Sequence, residues 1–161
     1  MIEIRLFIEL ISTALHFKNM ENRALFDLEG KAFELRKLIA DKPTLLLLYN
    51  NQCLGCTGRA IPYAHDLQQE FSDIQVIGVH SNFNGRQATK QEINEIFTSG
   101  EAPLPIYNDD GRKLYDELNA EGTPHWVLYN EKGELINSIF GSQSSAQNRL
   151  WYALRELQET V

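Results

Sequence analysis

Two cysteines, Cys53 and Cys56, lie three positions apart and are the only cysteines in the 161 residues. A Cys-x-x-Cys pair serves two chemistries, metal ligation and thiol-disulfide exchange. A structural zinc needs four ligands, usually a second Cys-x-x-Cys or a closely spaced histidine pair. The four histidines, His16, His65, His80 and His125, form no such pair. Local pattern then decides between the two. Thr44-Leu45-Leu46-Leu47-Leu48-Tyr49 is apolar without alternation, the pattern of a strand buried on both faces. After Asn50–Cys56 a helical pattern runs to about Phe71, with Pro62 expected to kink it. Cys53 therefore falls at a helix N-terminus, where unpaired N–H groups and the helix dipole favour a thiolate. Cys56 falls one turn further on, within reach of the Cys53 sulfur. Such a pair is placed for attack and resolution through a mixed disulfide.

Other residues offer weaker chemistry. His80 closes a strand at its carboxyl end, the side where open α/β sheets hold ligands. With Cys53 and Cys56 it would complete a three-ligand soft-metal site, against the plainer reading of a partly exposed strand-end histidine. His125 follows Pro124 and would lie near a substrate without a catalytic role. Asp116, Glu117 and Glu121 read as a solvated face, and Trp126 and Trp151 as core or core-edge packing.

The elements that must position the pair follow from periodicity and punctuation. Ala24–Leu28 and Ala32–Leu35 flank Glu29-Gly30 and read as a small hairpin. Leu35–Ile39 is a helical turn closed by Asp41-Lys42-Pro43. Ile74–Val79 is a second buried strand, Thr89–Phe97 a helix, and Leu104–Tyr107 a short strand. Asp109-Asp110-Gly111 then caps a helix over about Arg112–Asn119. His125–Tyr129 and Glu134–Phe140 form a hairpin around Asn130-Glu131-Lys132-Gly133. The final helix, Gln143–Gln158, has Leu150, Trp151, Leu154 and Leu157 in one stripe. Strand–helix alternation followed by a hairpin and a helix indicates α/β with a mixed sheet.

Composition bounds the partners. Hydrophobic residues make up 43% and charged residues 23%, ordinary globular values that exclude a mainly disordered chain. Fifteen Lys and Arg against 22 Asp and Glu give a net charge of -7, and no basic cluster interrupts it, which argues against nucleic acid. Residues 1–20 are apolar, but Glu3 and Glu9 break the run and Arg5 lies inside it. That pattern fits neither a secretory signal nor a membrane span, so a cytoplasmic, reducing setting is expected. A helix from Ile4 to Phe17 is expected there, packed on the domain or on another chain. Residues 1–22 thus read as an N-terminal extension and 23–161 as the domain.

The chain from Ala24 onward resembles a thioredoxin-like domain, most similar to the TlpA-type thiol-disulfide oxidoreductases within the peroxiredoxin-related group. Four stretches carry the resemblance: Asp27-Leu28-Glu29-Gly30-Lys31, the strand into Cys53-Leu54-Gly55-Cys56, the segment with Asp109-Asp110-Gly111, and Gly122-Thr123-Pro124. The implied fold is a mixed central sheet flanked by helices, with an N-terminal hairpin and an inserted helix–strand segment. The implied activity is exchange with protein disulfides or dithiols through Cys53 and Cys56, with no bound cofactor. In this family the proline matching Pro124 follows a cis bond and faces the cysteines, and the residue matching Thr123 pairs through its backbone with substrate. The departures are specific. Gln52 replaces the usual tryptophan before the first cysteine, and Leu47 replaces the buried acid of thioredoxins. No glutamate follows Cys56, and Pro62 lies one residue further along than the family pattern. A peroxidatic site is not expected, because Leu46 and Asn50 stand where that motif would want Pro and Thr. A copper-delivery-like metal module and a non-catalytic adaptor are the competing readings.

Overall fold

The computed structural model describes residues 3–11 and 23–160. Residues 3–11 form helix α1, which starts one residue ahead of the expected helical stretch; the part of that stretch after residue 11 lies outside the described residues. Among the described residues, the expected packing of α1 on the domain is not formed. Ile4, Leu6, Phe7, Ile8 and Leu10 are all exposed.

The domain begins with the hairpin β1 (Ala24–Phe26) and β2 (Ala32–Glu34), paired antiparallel, with Gly30 at φ 83° in the turn. A side-chain cap on this turn comes from Asp27, whose Oδ1 accepts from the Glu29 and Lys31 N–H groups. Next come α2 (Leu35–Leu38), β3 (Thr44–Tyr49), a π-helical turn (Cys56–Ala60) and α3 (Ile61–Glu70). These are followed by β4 (Gln75–His80), α4 (Lys90–Glu95), β5 (Ile106–Asn108) and α5 (Lys113–Glu117). The chain closes with β6 (His125–Tyr129), β7 (Leu135–Phe140) and α6 (Ser144–Thr160).

The seven strands form one mixed sheet in the order β2-β1-β5-β4-β3-β6-β7. β3 pairs parallel with β4 and antiparallel with β6, so it is central. All six of its residues are buried, which is what its unalternating apolar pattern requires. Leu45, Leu47 and Tyr49 face a core shared with α3 and α6, and Leu46 and Leu48 face one shared with α2 and α5. Each fully buried leucine contributes about 1.5–3 kcal/mol relative to exposure, so this strand is the anchor of both layers.

The expected kink at Pro62 takes the form of the π-turn ahead of it. Pro62 has no N–H and its ring crowds the carbonyl four residues back, so the preceding turn widens. The Ile61 N–H accordingly bonds to the Cys56 carbonyl, five residues earlier. α4 begins with a capping box, Thr89 and Glu92 each bonding the other's backbone N–H.

Candidate active site

Cys53 follows directly from the end of β3, because the chain turns at Asn50–Gln52 and enters the helix at residue 54. The turn is built by asparagine. Asn50 Oδ1 accepts from the Gln52 N–H at 2.8 Å, and the Asn50 carbonyl accepts from the Cys53 N–H at 3.0 Å. Three bonds tie the turn to neighbouring elements: Asn50 Nδ2 to the Ser81 carbonyl, Asn51 N–H to His80 Nε2, and Asn51 Nδ2 to the Glu92 carbonyl.

Cys53 and Cys56 are joined in a disulfide with Cα atoms 5.2 Å apart. The two sulfurs differ sharply in access. Cys56 is fully buried in the core that also holds Leu47, Ala60 and Ile61, whereas Cys53 is half-buried. The Cys56 N–H donates to Cys53 Sγ at 3.2 Å, so a helix-start amide already points at that sulfur. Leu54, between the two cysteines, is 87% exposed.

Thr123 and Pro124 come to the same place from the opposite side. Their peptide bond is cis, and the Thr123 carbonyl oxygen lies 3.3 Å from Cys53 Sγ. A Cβ on Gly55 would come 3.1 Å from Ser142 Oγ and 3.8 Å from Pro124 Cδ, so glycine lets these loops close over the helix start. The sequence-expected set Cys53, Cys56, Thr123 and Pro124 is therefore gathered in one spot. Ser142 and the bracing role of the asparagine turn are not foreseen from the sequence, which marks Asn50 only as a departure from the peroxidatic pattern. For the turn, the signal is the pair of adjacent asparagines ahead of the first cysteine.

His80 is corrected. It is 6% exposed rather than a partly exposed strand-end residue, and both ring nitrogens are engaged. Nδ1 lies 2.8 Å from Asn82 Oδ1 and Nε2 accepts from Asn51 N–H at 3.2 Å. Neither nitrogen is left to ligate a metal. Among the described residues no three His, Cys, Asp or Glu side chains converge on a common metal position. Burial holds the His80 pKa below the ordinary imidazole range, with the Asn82 hydrogen bond and the Glu92 charge acting in the other direction.

His125 is also buried, its Nε2 2.6 Å from Ser138 Oγ, and burial lowers its pKa. Of the three acids read as a solvated face, Glu121 is exposed, Asp116 pairs with Arg112 and Glu117 with Arg23. Trp126 is core, its Nε1–H bonded to the Gly141 carbonyl, and Trp151 is at the core edge with its Nε1–H on Glu70. Leu47, which the resemblance sets against the thioredoxin acid, lies in the same core as Cys56.

No family model matches the chain. Over 123 residues it is 30% identical to the thiol-disulfide oxidoreductase ResA of Halalkalibacterium halodurans, covering 76% of the chain and 67% of that protein. It is 25% identical over 100 residues to the thiol-disulfide oxidoreductase YkuV of Bacillus subtilis, covering 62% of the chain and 67% of that protein. Among solved structures, the exposed lipoprotein thioredoxin Etrx1 of Streptococcus pneumoniae superposes with a TM-score of 0.66 at 19% identity, covering 83% of this chain and 98% of that one. At that identity and over two thirds of the relative's own length, the chain belongs with ResA among the thioredoxin-like, TlpA-type thiol-disulfide oxidoreductases.

Proposed function

We propose that Cys53 is the attacking thiol and Cys56 the resolving thiol of a reductase acting on protein disulfides, with Thr123 and Pro124 presenting the backbone against which the substrate chain lies. The observation that carries this reading is the difference in access: Cys56 is fully buried and Cys53 is not. A disulfide on another protein reaches only the Cys53 sulfur without opening the core.

The exchange balances as two substitutions at sulfur. The Cys53 thiolate attacks one sulfur of the substrate disulfide, forming a mixed disulfide and expelling the other substrate sulfur as a thiolate, which takes a proton. The Cys56 thiol then loses its proton and attacks the Cys53 sulfur. The internal disulfide forms, the second substrate thiol leaves, and the substrate has gained two electrons that a dithiol reductant must restore to the pair. The Cys56 N–H supports the charge on Cys53, and Leu47 offers no proton acceptor beside Cys56. Resolution without that acceptor favours slow or partner-specific reduction over fast general reduction.

Residues 1–22 are an accessory extension and 23–161 the catalytic domain. Among the described residues no helix is long and apolar enough to cross a membrane. The reducing direction goes with a cytoplasmic setting, whereas the pneumococcal neighbour is by name an exposed protein. Reduction of insulin disulfides by dithiothreitol, with and without catalyst, tests the reading. Catalysis that disappears in Cys53→Ser supports it. Activity equal to background in the unaltered chain would favour the adaptor.

A further inference from the structure

We infer that His80 is a positioning residue of the redox site: in its neutral, Nδ1-protonated form it holds the Asn50–Gln52 turn that delivers Cys53, and its protonation releases that turn.

The tautomer is fixed by the surrounding bonds. Asn82 is itself oriented from two sides, its Nδ2 donating to the Asp109 carbonyl at 2.8 Å and its Oδ1 accepting from the Ala88 N–H at 3.1 Å. Asn82 Oδ1 therefore faces His80 Nδ1 as an acceptor, and Nδ1 must carry the hydrogen. Nε2 faces the Asn51 N–H, a group that can only donate, so Nε2 must keep its lone pair. Protonation at Nε2 would set two N–H groups against each other 3.2 Å apart. The consequence reaches the sulfur in two residues, since the turn that begins at Asn50 closes on the Cys53 N–H.

The groups facing His80 come from every neighbouring element. From β3 the Tyr49 ring packs edge-on at 5.3 Å. From α4 come Glu92 and Glu95, and from the loop after β4 comes Arg86; these line a cavity of about 390 Å³ with His80 and Asn51. Glu92 is held by Arg86 and by the Thr89 N–H rather than by the ring. Asp109, after β5, turns its carboxylate to the α5 amides. The ring nitrogens thus bond only neutral partners, Asn82 and the Asn51 N–H, while the Glu92 charge favours the protonated ring from a distance and burial opposes it.

This inference rests on Cys53 being the attacking thiol, and its test separates the two. In the unaltered reduced protein, ¹⁵N NMR should show His80 as the Nδ1–H tautomer near neutral pH, with the Asn51 amide shifting along the His80 titration. An Nε2–H tautomer, or an Asn51 amide indifferent to that titration, would overturn the inference whatever Cys53 does. The rate of reduced protein with 4,4′-dithiodipyridine is then measured from pH 4 to 8 and divided by the thiolate fraction read from absorbance at 240 nm. In the unaltered chain the rate per thiolate falls as the pH drops through the His80 titration. His80→Leu lowers it about tenfold at neutral pH, the equivalent of one lost hydrogen bond, and removes the acid fall. His80→Gln, which can present an oxygen to Asn51 but does not titrate, restores most of the neutral rate and remains flat. A flat profile in the unaltered chain, an acid fall retained in His80→Gln, or a His80→Leu rate within twofold would each contradict the role.

Discussion

Asp109 offers a contest between two physical effects whose outcome can be read as stability. Its carboxylate is fully buried and accepts from the Leu114 N–H at 2.9 Å and the Tyr115 N–H at 3.1 Å, anchoring the start of α5. Those amides favour the ionised form, but burial outweighs them and pushes the pKa up from 3.8 to about 6. A native pKa above the unfolded one means the folded state binds the proton more tightly, so stability from this group is present at low pH and falls as pH rises from about 4 through about 6. A shift of that size corresponds to about 3 kcal/mol at neutral pH. Asp109→Asn removes the buried charge and keeps one acceptor oxygen, at a loss of about 1 kcal/mol for the amide bond it cannot match. The variant should therefore be more stable than the unaltered chain by about 2 kcal/mol at pH 7.5, and less stable by about 1 kcal/mol at pH 4. Urea unfolding of both proteins at the two pH values measures this. A difference independent of pH, or a variant less stable at pH 7.5 than at pH 4 relative to the unaltered chain, would show that the amides win and the carboxylate is ionised throughout.

Leu47→Asp places a carboxylate in a core position with no exposure, and should lower stability by more than about 3 kcal/mol in urea unfolding. A cost below 1 kcal/mol would mean that the space beside Cys56 admits water. Deleting residues 1–19, so that the chain starts at Met20, should leave the circular dichroism spectrum, the urea midpoint and the insulin-reduction rate within about 20% of the full chain, because α1 is exposed and the sheet begins at Ala24. Loss of cooperative unfolding on that deletion would make the extension part of the core.

The sheet was readable from sequence because its strands carry unambiguous patterns. Thr44–Tyr49 has no alternation and is central; the hairpin partners around Gly30 and Gly133 carry turn residues that leave few alternatives. The pairing of Cys53 with the Thr123–Pro124 loop, 70 residues away, came from family resemblance, since no local pattern reports such a contact. His80 was misread for a related reason. A polar residue ending an apolar strand looks solvent-facing, and its burial depends on Asn51, Asn82 and α4, which arrive from three separate stretches. The π-turn was only half visible: Pro62 signals a disturbance, but whether the helix bends or widens depends on how Cys56 is held by the core. The helical stretch beginning at Ile4 was read from one apolar face, and periodicity alone does not say whether such a face finds a partner.

The division of labour between the two sulfurs is tested most directly by trapping. Cys56→Ser and Cys53→Ser, each reduced and mixed with an excess of oxidised insulin, are quenched with acid and analysed by intact mass. Cys56 can reach a protein disulfide only by local opening of the core. An opening of about 2.7 kcal/mol makes it roughly 100-fold less reactive than Cys53. Cys56→Ser should therefore accumulate a covalent adduct with an insulin chain, removed by dithiothreitol, while Cys53→Ser accumulates none on the same timescale. Equal adduct in both variants, or adduct in Cys53→Ser alone, would contradict Cys53 as the attacking thiol.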